Sequence, residues 1–289
     1  MPTDFTKTRE RRIVFVDVDG TITDNSGAVP ASTPTAIRQT RERGHLVLLC
    51  TGRAYRDIPE EVLAIGFDGA VTNGGATVVF GDKTLLNQTL TVEQATRMLD
   101  YFDSNGLQYI AQTTGLTHRS TNYVSSMEQY QLMLSAEGVE ADFSEIIDWL
   151  GLMPLIDTVD LNTITKAAFV GLDPELLPKA KAELGDDFYI VNGSLPNAAG
   201  FSGEIAPPGI TKGTGVEMVL DHLRMSKEQA IGIGDSHNDV DMFEACGTSI
   251  AMGNGESVLK EIANFVTADV DADGVELALA KLGLIEPSE

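Results

Sequence analysis

The stretch Ile13–Thr21, with the sequence IVFVDVDGT, decides the fold of this chain. Its first four residues are apolar and mostly β-branched, a pattern that predicts a strand buried on both faces. The strand ends in two carboxylates, Asp17 and Asp19, and then Gly20, which permits a sharp bend. Burying one carboxylate beside another is costly unless a cation or hydrogen-bond donors compensate. In open α/β sheets, ligands bind at the edge formed by the carboxyl ends of the strands. A carboxylate pair at that edge therefore predicts a role in catalysis rather than in packing.

Outward from this stretch, predicted strands alternate with predicted helices. Apolar runs at 46–50 and 70–72 predict two further strands, and the segments 33–44 and 57–65 predict the helices between them. Each strand ends in polar or glycine residues, an arrangement typical of βαβ units with a parallel sheet. The alternation returns at Thr211 and continues to the last predicted helix.

The middle of the chain lacks this regular alternation, although it also contains predicted strands and helices. We therefore predict an α/β fold with a Rossmann-like parallel-sheet core, formed by residues 1–84 and 200–289. Residues 85–199 are predicted to form an inserted α+β domain.

The amino-acid composition argues against several classes of binding partner. The chain has 289 residues, is 43% hydrophobic and carries a formal net charge of -23. This charge argues against nucleic acid and against an anionic membrane surface as partners, and it makes binding of an anionic substrate depend on local cations. Cys50 and Cys246 do not have a metal-ligand spacing. With no membrane-length apolar run and a polar segment at 1–12, we expect a cytoplasmic soluble protein.

Two further motifs carry an anion-binding pattern. Thr51, Gly52 and Arg53 follow the second strand, where a hydroxyl and backbone N–H groups can bind phosphoryl oxygens. The same Thr-Gly pair is also an ordinary turn, and Arg53 could contact substrate or lie at the surface. Lys212 falls in the first turn of a predicted helix, where the macrodipole disfavours a cation, so a neighbouring anion is predicted.

A last motif, Gly234–Asp239, places two more carboxylates after an apolar strand. Hard carboxylate and carbonyl oxygens suit Mg²⁺. A dinucleotide-binding fingerprint is excluded because His237 stands where its third glycine would be.

A calcium loop is the main alternative for the first motif, since Asp-x-Asp-Gly occurs in EF-hands. That loop requires a glutamate at its twelfth position, which is Ala28 when the count starts at Asp17. The similar run at 269–274 also fails, because its twelfth position is Ala280.

Together the four motifs place two pairs of carboxylate groups, a hydroxyl group and a cation at strand or helix ends of one predicted α/β fold. This set resembles the haloacid dehalogenase-like (HAD) hydrolase superfamily over residues 10–84 and 200–285. The residues that carry the resemblance are Asp17, Asp19, Gly20, Thr21, Thr51, Gly52, Arg53, Lys212, Gly234, Asp235, Asn238 and Asp239. The position of the insertion resembles a C2-type cap. Shorter matches resemble the Cof-type phosphatases, namely Asn73-Gly74, Glu204-Ile205 and Lys212-Gly213.

The resemblance implies a Mg²⁺-dependent hydrolase, a phosphatase that acts through an aspartyl-phosphate. Asp17 would attack phosphorus, and Asp19 would protonate the leaving oxygen and later deprotonate the attacking water. Mg²⁺ would bind Asp17, Asp235 and the backbone carbonyl of Asp19, with Asp239 supporting the metal. The residues that would hold phosphoryl oxygens are Thr51, Gly52, Lys212 and Asn238.

The cap would close over the site and select the substrate. Its few cations disfavour highly charged substrates, so we expect a small phosphorylated metabolite such as a sugar phosphate. Arg53 and Arg119 are possible substrate contacts. A phosphotransferase such as a sugar phosphomutase and a non-catalytic regulatory binding protein stay open as alternatives, whereas a dehalogenase would need no Mg²⁺ site. The sequence leaves the oligomeric state open.

Overall fold

The structure is a computed structural model that describes residues 11–24, 26–136, 142–173, 175–192 and 201–286. Its strands form two sheets, one of eight strands and one of five. None of the helices within these ranges is both long and apolar enough to cross a membrane.

Thirteen strands and ten α-helices are described, and their bounds follow in chain order. The strands are β1 (Ile13–Val16), β2 (Leu46–Cys50), β3 (Gly69–Thr72), β4 (Thr77–Phe80), β5 (Lys83–Asn87), β6 (Gln108–Thr113), β7 (Thr117–Arg119), β8 (Ile164–Gly171), β9 (Tyr189–Asn192), β10 (Phe201–Ala206), β11 (Ala230–Gly234), β12 (Thr248–Ala251) and β13 (Phe265–Val266). The helices are α1 (Ser32–Glu42), α2 (Glu60–Leu63), α3 (Val92–Ser104), α4 (Tyr123–Ala136), α5 (Ser144–Leu152), α6 (Leu176–Leu184), α7 (Lys212–Leu223), α8 (Val240–Ala245), α9 (Ser257–Ile262) and α10 (Gly274–Lys281).

The larger sheet has the strand order β13-β12-β11-β1-β2-β3-β4-β5. Its strands are parallel from β13 to β3, and β4 and β5 add an antiparallel edge. Strand β1 lies in the middle and is buried on both faces, as predicted. Val14 and Val16 pack with α1 and α10 on one face, and Ile13 and Phe15 pack with α7 and α8 on the other. The ends of β1, β2 and β11 therefore meet at one edge.

The smaller sheet has the strand order β7-β6-β8-β10-β9 and is antiparallel. Phe102 of α3 and Leu184 of α6 pack with Phe169 on one face of it. On its other face, Ala168 of β8 packs in a cluster that includes Leu150 of α5. The inserted region is thus an α+β unit with a core of its own, distinct from the core of the parallel sheet.

Two strands require corrections to the predicted domain limits. Strand β5 continues to Asn87 in the larger sheet, beyond the predicted limit at 84. Strand β10, predicted to belong to the core segment that starts at 200, pairs instead with β8 and β9 in the smaller sheet. Strand assignment depends on pairing partners, which a local apolar pattern does not reveal. The chain passes to the smaller sheet after Asn87 and returns after Ala206.

A turn at Asn73–Ala76 joins the two sheets. Asn73 is buried with a φ of 53°, and its side-chain amide donates to the Thr113 carbonyl (3.2 Å) and to Thr165 Oγ1 (2.8 Å). Thr113 ends β6 and Thr165 lies in β8, so this one core side chain binds two strands of the smaller sheet.

The same turn contacts both segments that connect the sheets. The N–H of Gln88 donates to the Ala76 carbonyl over 2.7 Å. On the return path, a methyl group placed on Gly75 would lie 2.0 Å from the Thr211 carbonyl oxygen. The backbones therefore approach so closely that only glycine fits at this position.

Candidate active site

Lys212 lies at the centre of a buried charge cluster at the ends of β1 and β11. Its Nζ is 2.9 Å from Asp17 Oδ1, 2.6 Å from Asp239 Oδ1 and 2.8 Å from Asn238 Oδ1. Asp17, Lys212 and Asp239 are all buried. The anion predicted from the position of Lys212 at the start of α7 is therefore a pair of carboxylates.

The carboxylates of this cluster outnumber its lysine. Burial raises the pKa of Asp17 well above its ordinary value; Lys212 opposes this rise, and the nearby carboxylates add to it. Burial and then the charge of Asp239 raise the pKa of Asp235 to about 7. Burial lowers the pKa of Lys212, but Asp17 and Asp239 outweigh burial and raise it above the ordinary value. A further cation would relieve the remaining negative charge.

The cluster has the donor set of a site for a hard divalent cation. Carboxylate oxygens of Asp17, Asp235 and Asp239 lie within 4.8 Å of one another. Asp239 already accepts from Lys212 through Oδ1, and through Oδ2 from the N–H groups of Asp235 (3.0 Å) and Ser236 (3.1 Å). The position of Asp239 therefore suits support of the loop, which leaves Asp17 and Asp235 better placed for a metal ion. An all-oxygen set of this kind favours Mg²⁺, Ca²⁺ or Mn²⁺ over softer metals.

Gly20 lets the chain bend tightly around this site. Its φ is +75°, and a methyl group on it would lie 2.2 Å from Asp235 Oδ2. Thr21, the next residue, donates to Asp235 Oδ1 over 3.4 Å. The bend that the sequence predicted thus places the backbone after β1 against a carboxylate from the end of β11.

Asp19 lies in different surroundings from Asp17. Its side chain is about half exposed, and Arg53 binds both of its oxygens, with Nε 2.8 Å from Oδ2 and Nη2 2.7 Å from Oδ1. Arg53 Nη1 also donates to the Asp57 carbonyl over 2.8 Å. The guanidinium, predicted as a possible substrate contact or a surface group, therefore holds Asp19 in a two-bond fork. No local pattern in the sequence indicates this pairing.

The residues predicted to bind phosphoryl oxygens lie next to this cluster. Gly52, Lys212 and Asn238 line one pocket. A methyl group on Gly52 would be 3.8 Å from Asn238 Nδ2. Thr51 is buried, and its hydroxyl oxygen accepts from the N–H of Arg53 over 3.1 Å. The loop after β2, the start of α7 and the loop after β11 thus bring these groups together.

Arg119, the other predicted substrate contact, lies in β7 and binds carbonyl groups of the inserted region. Its Nε donates to the Leu150 carbonyl over 2.8 Å, and its Nη1 donates to Ser120 (3.3 Å) and Thr121 (3.2 Å). It is not among the residues that line the pocket. These contacts indicate a structural role at the end of α5.

Two charged residues that line the same pocket were not predicted to belong to the site, although Glu204 is part of one of the shorter family matches. Lys166 of β8 and Glu204 of β10 form an ion pair, with Nζ 2.5 Å from Oε2. A lysine inside the otherwise apolar strand ITKAAFVG was the available signal, because a charge in such a strand requires a partner.

Comparisons with known proteins find relatives over nearly the whole chain. A family model described as haloacid dehalogenase-like hydrolase matches residues 14–279. The chain is 27% identical to the putative phosphatase YkrA of Bacillus subtilis, over 96% of this chain and all of that protein. It is 26% identical to the 5-amino-6-(5-phospho-D-ribitylamino)uracil phosphatase YwtE of the same organism, over 94% of this chain and 98% of that one. The solved structure of a hypothetical protein from Geobacillus kaustophilus HTA426 matches with a TM-score of 0.75 at 27% identity, over 95% of this chain and all of that one.

Proposed function

Because the chain belongs to the haloacid dehalogenase-like hydrolase family, we propose that it is a Mg²⁺-dependent phosphatase that hydrolyses small phosphomonoesters through an aspartyl-phosphate. The observation that supports this most is the contrast between two carboxylates at the end of β1. Asp17 is buried against Lys212, whereas Asp19 is half exposed and held by Arg53. Two carboxylates in such different surroundings can take different roles in one reaction.

Asp17 is the proposed nucleophile. One of its oxygens forms a bond to phosphorus as the bond from phosphorus to the leaving oxygen breaks. Lys212 holds the nucleophile in place relative to the loop after β11, because it binds Asp17, Asn238 and Asp239 at once. The loop at Thr51 and Gly52, with Lys212 and Asn238, would hold the phosphoryl oxygens.

Asp19 is the proposed general acid and base. It gives a proton to the leaving oxygen in the first step and takes one from water in the second, when water attacks phosphorus and the bond to Asp17 breaks. The two bonds from Arg53 orient the carboxylate of Asp19 during this transfer. The proton is returned to Asp19, so the cycle closes without another donor.

A bound Mg²⁺ would supply positive charge between the carboxylates and the anionic phosphoryl group. Asp17, Asp235 and the backbone carbonyl of Asp19 are the residues proposed to hold it, with Asp239 supporting the metal site. The raised pKa values of Asp17 and Asp235 support this assignment, since burial and then the neighbouring carboxylates disfavour their charged forms and Lys212 alone does not offset this.

The inserted region is proposed to act as a cap of the C2 type. It would exclude bulk water and select a small phosphorylated metabolite such as a sugar phosphate. YwtE, a relative over nearly the whole chain, is named for a substrate whose phosphate is carried by a ribityl chain, which supports esters of this size.

Hydrolysis of para-nitrophenyl phosphate by the purified protein tests the proposal. We expect turnover with Mg²⁺, loss of turnover with a chelator, and a fall of about 10³-fold or more in Asp17→Asn, because the nucleophile is removed. Asp271→Asn, an exposed carboxylate far along the chain, is the matched control and should retain the wild-type rate.

A panel of sugar and nucleotide phosphates extends this test if the aryl ester is rejected. Failure of the whole panel with Mg²⁺ present would contradict the phosphatase proposal. Turnover that requires a bisphosphate activator would indicate a phosphotransferase instead.

A further inference from the structure

The pocket at the proposed active site is lined from both sheets. It is open to solvent, and its empty space, counted together with the open mouth, is about 650 Å³. Loops of the larger sheet and strands of the smaller sheet contribute Gly52, Lys212, Asn238, Lys166, Tyr189 and Glu204. A substrate held at Lys212 would therefore also meet side chains of the inserted region.

Lys166 and Glu204 form a largely buried ion pair on this wall. Their side chains are 6% and 13% exposed. Glu204 is paired in register with Ala168, two residues from Lys166, so both side chains leave the same face of the smaller sheet. A buried ion pair contributes little net stability after desolvation, so packing alone is a weak reason for one to line a pocket.

The ammonium group of Lys166 reaches across to the larger sheet. A methyl group on Gly52 would lie 3.7 Å from Lys166 Nζ, and one on Gly74 would lie 3.6 Å from it. Gly52 is also next to Asn238 Nδ2. If the phosphoryl group of an ester binds at the loop that contains Gly52, the alcohol part of the ester would therefore extend past Lys166.

The chemistry of the pair favours hydroxyl groups over a second anion. Lys166 offers hydrogen-bond donors only, and Glu204 offers acceptors only. An anionic group that approached Lys166 would also meet the carboxylate of Glu204, whereas a hydroxyl can accept from one residue and donate to the other. Tyr189 and Asp241 line the same pocket and offer a hydroxyl and a carboxylate as further partners for hydroxyl groups.

We propose that Lys166 and Glu204 recognise hydroxyl groups of the leaving alcohol and so make the protein selective for phosphate esters of polyols and sugars. This inference rests on the proposed phosphatase function. It assigns selection of the alcohol to two residues of the inserted region, separate from the residues that hold the phosphoryl group.

Sorbitol 6-phosphate and hexyl phosphate make a matched substrate pair, since both have six carbons and only the first has hydroxyl groups on its alcohol. We expect wild-type kcat/KM, measured by phosphate release, to favour sorbitol 6-phosphate by at least about tenfold, because hydrogen bonds to charged groups carry such discrimination. Lys166→Met and Glu204→Gln should each reduce this preference by about tenfold. Lys179→Met, which removes an exposed cap lysine paired with Asp173, is the control and should preserve the preference.

Equal losses on both esters would overturn the inference, since they would mean that the pair serves the phosphoryl group or the fold. An unchanged preference in the variants would also overturn it. If Lys166→Met does not fold, the double variant Lys166→Gln with Glu204→Gln decides, because it keeps an uncharged hydrogen-bonding pair of similar size. We expect a smaller loss of preference in that protein than the loss expected in Glu204→Gln or Lys166→Met, because neutral amides still bind hydroxyl groups, though more weakly than charged groups do.

Binding separates failure of this inference from failure of the phosphatase proposal. If wild-type protein hydrolyses neither these two esters nor the panel of phosphate esters described above, the phosphatase proposal fails. Calorimetric titration with the same two esters, in wild type and in Glu204→Gln, then decides the inference. Tighter binding of sorbitol 6-phosphate that is lost in the variant supports it, and equal binding of the two esters overturns it.

Discussion

Asp17 and Asp19 are two residues apart and face different surroundings, because β1 ends at Val16 and the chain bends at Val18, between them. The residue types and the edge of the sheet could be predicted from the sequence, since a carboxylate pair after an apolar strand is a local pattern. The partner of Asp19 could not, because Arg53 is 34 residues away and its reach depends on how β1 and β2 align. The same limit applies to Lys166 and Glu204, which are 38 residues apart.

Arg53→Lys tests whether the guanidinium positions Asp19. Lysine keeps the charge but cannot form two parallel bonds to one carboxylate, so we expect kcat to fall about tenfold. Arg56→Lys, which changes an exposed arginine three residues later, is the control and should leave kcat unchanged. Steady-state kinetics measures both, and an unchanged kcat in Arg53→Lys would show that Asp19 does not depend on this fork.

Gly20→Ala tests the close approach between the first bend and Asp235. Gly20 and Gly27 both have positive φ, so alanine at either position should lower the free energy of unfolding by about 1–2 kcal/mol. Only the methyl group at Gly20 would collide with Asp235, because nothing lies within 4 Å of the corresponding position at Gly27.

We therefore expect Gly20→Ala alone to lose at least about tenfold in kcat/KM, by analogy with other small displacements of active-site groups. Urea denaturation and kinetics at saturating Mg²⁺ separate the two effects. Equal activity of the two variants would contradict the importance of this contact.

At the scale of elements, the sequence pattern missed a break in one helix and the whole of one strand. The helix predicted over 57–65 is instead a short 3₁₀ turn at Tyr55–Asp57 followed by α2. Pro59 precedes α2 and has no N–H to continue the first turn, so the helix starts anew at Glu60. The polar stretch around Arg119 is strand β7, because pairing with β6 overrides its weak local signal.

Arg119→Gln tests the role of β7 in the inserted region. The substitution removes the donor to the Leu150 carbonyl at the end of α5, so we expect the free energy of unfolding to fall by about 1 kcal/mol. Urea denaturation measures this, and kcat/KM should stay at the wild-type value. A fall in kcat/KM without loss of stability would restore the sequence-based prediction that Arg119 contacts substrate.

At the scale of the whole molecule, a chain with a large net negative charge has two lysines in its pocket. The chain carries a formal charge of -23, whereas its proposed substrates are anions that must reach Lys212 and Lys166. The negative electric field of the whole protein therefore slows the approach of an anionic substrate, and the two lysines attract it only at short range. The acidic composition was visible in the sequence, but the two lysines could be placed at one pocket only through the contact between the sheets.

Salt should therefore raise kcat/KM for a dianionic ester. The Debye length shrinks from about 30 Å at 0.01 M to about 8 Å at 0.15 M, which screens the distant carboxylates more than groups in contact with substrate. We expect an increase of about twofold over this range at saturating Mg²⁺, with kcat unchanged, in initial-rate measurements. A decrease would mean that local cations dominate the field along the approach.

The turn at Asn73–Ala76 has a consequence for how this protein can diversify. Both passages between the sheets touch this turn, one through Gln88 and the other through Thr211. The inserted region therefore enters and leaves the parallel sheet at nearly one place, as a cassette does. The length and the pocket-lining residues of the inserted region can therefore change during evolution while the strand register that aligns Asp17 with Asp235 is kept. New substrates can be accepted in this way without a change in the catalytic residues.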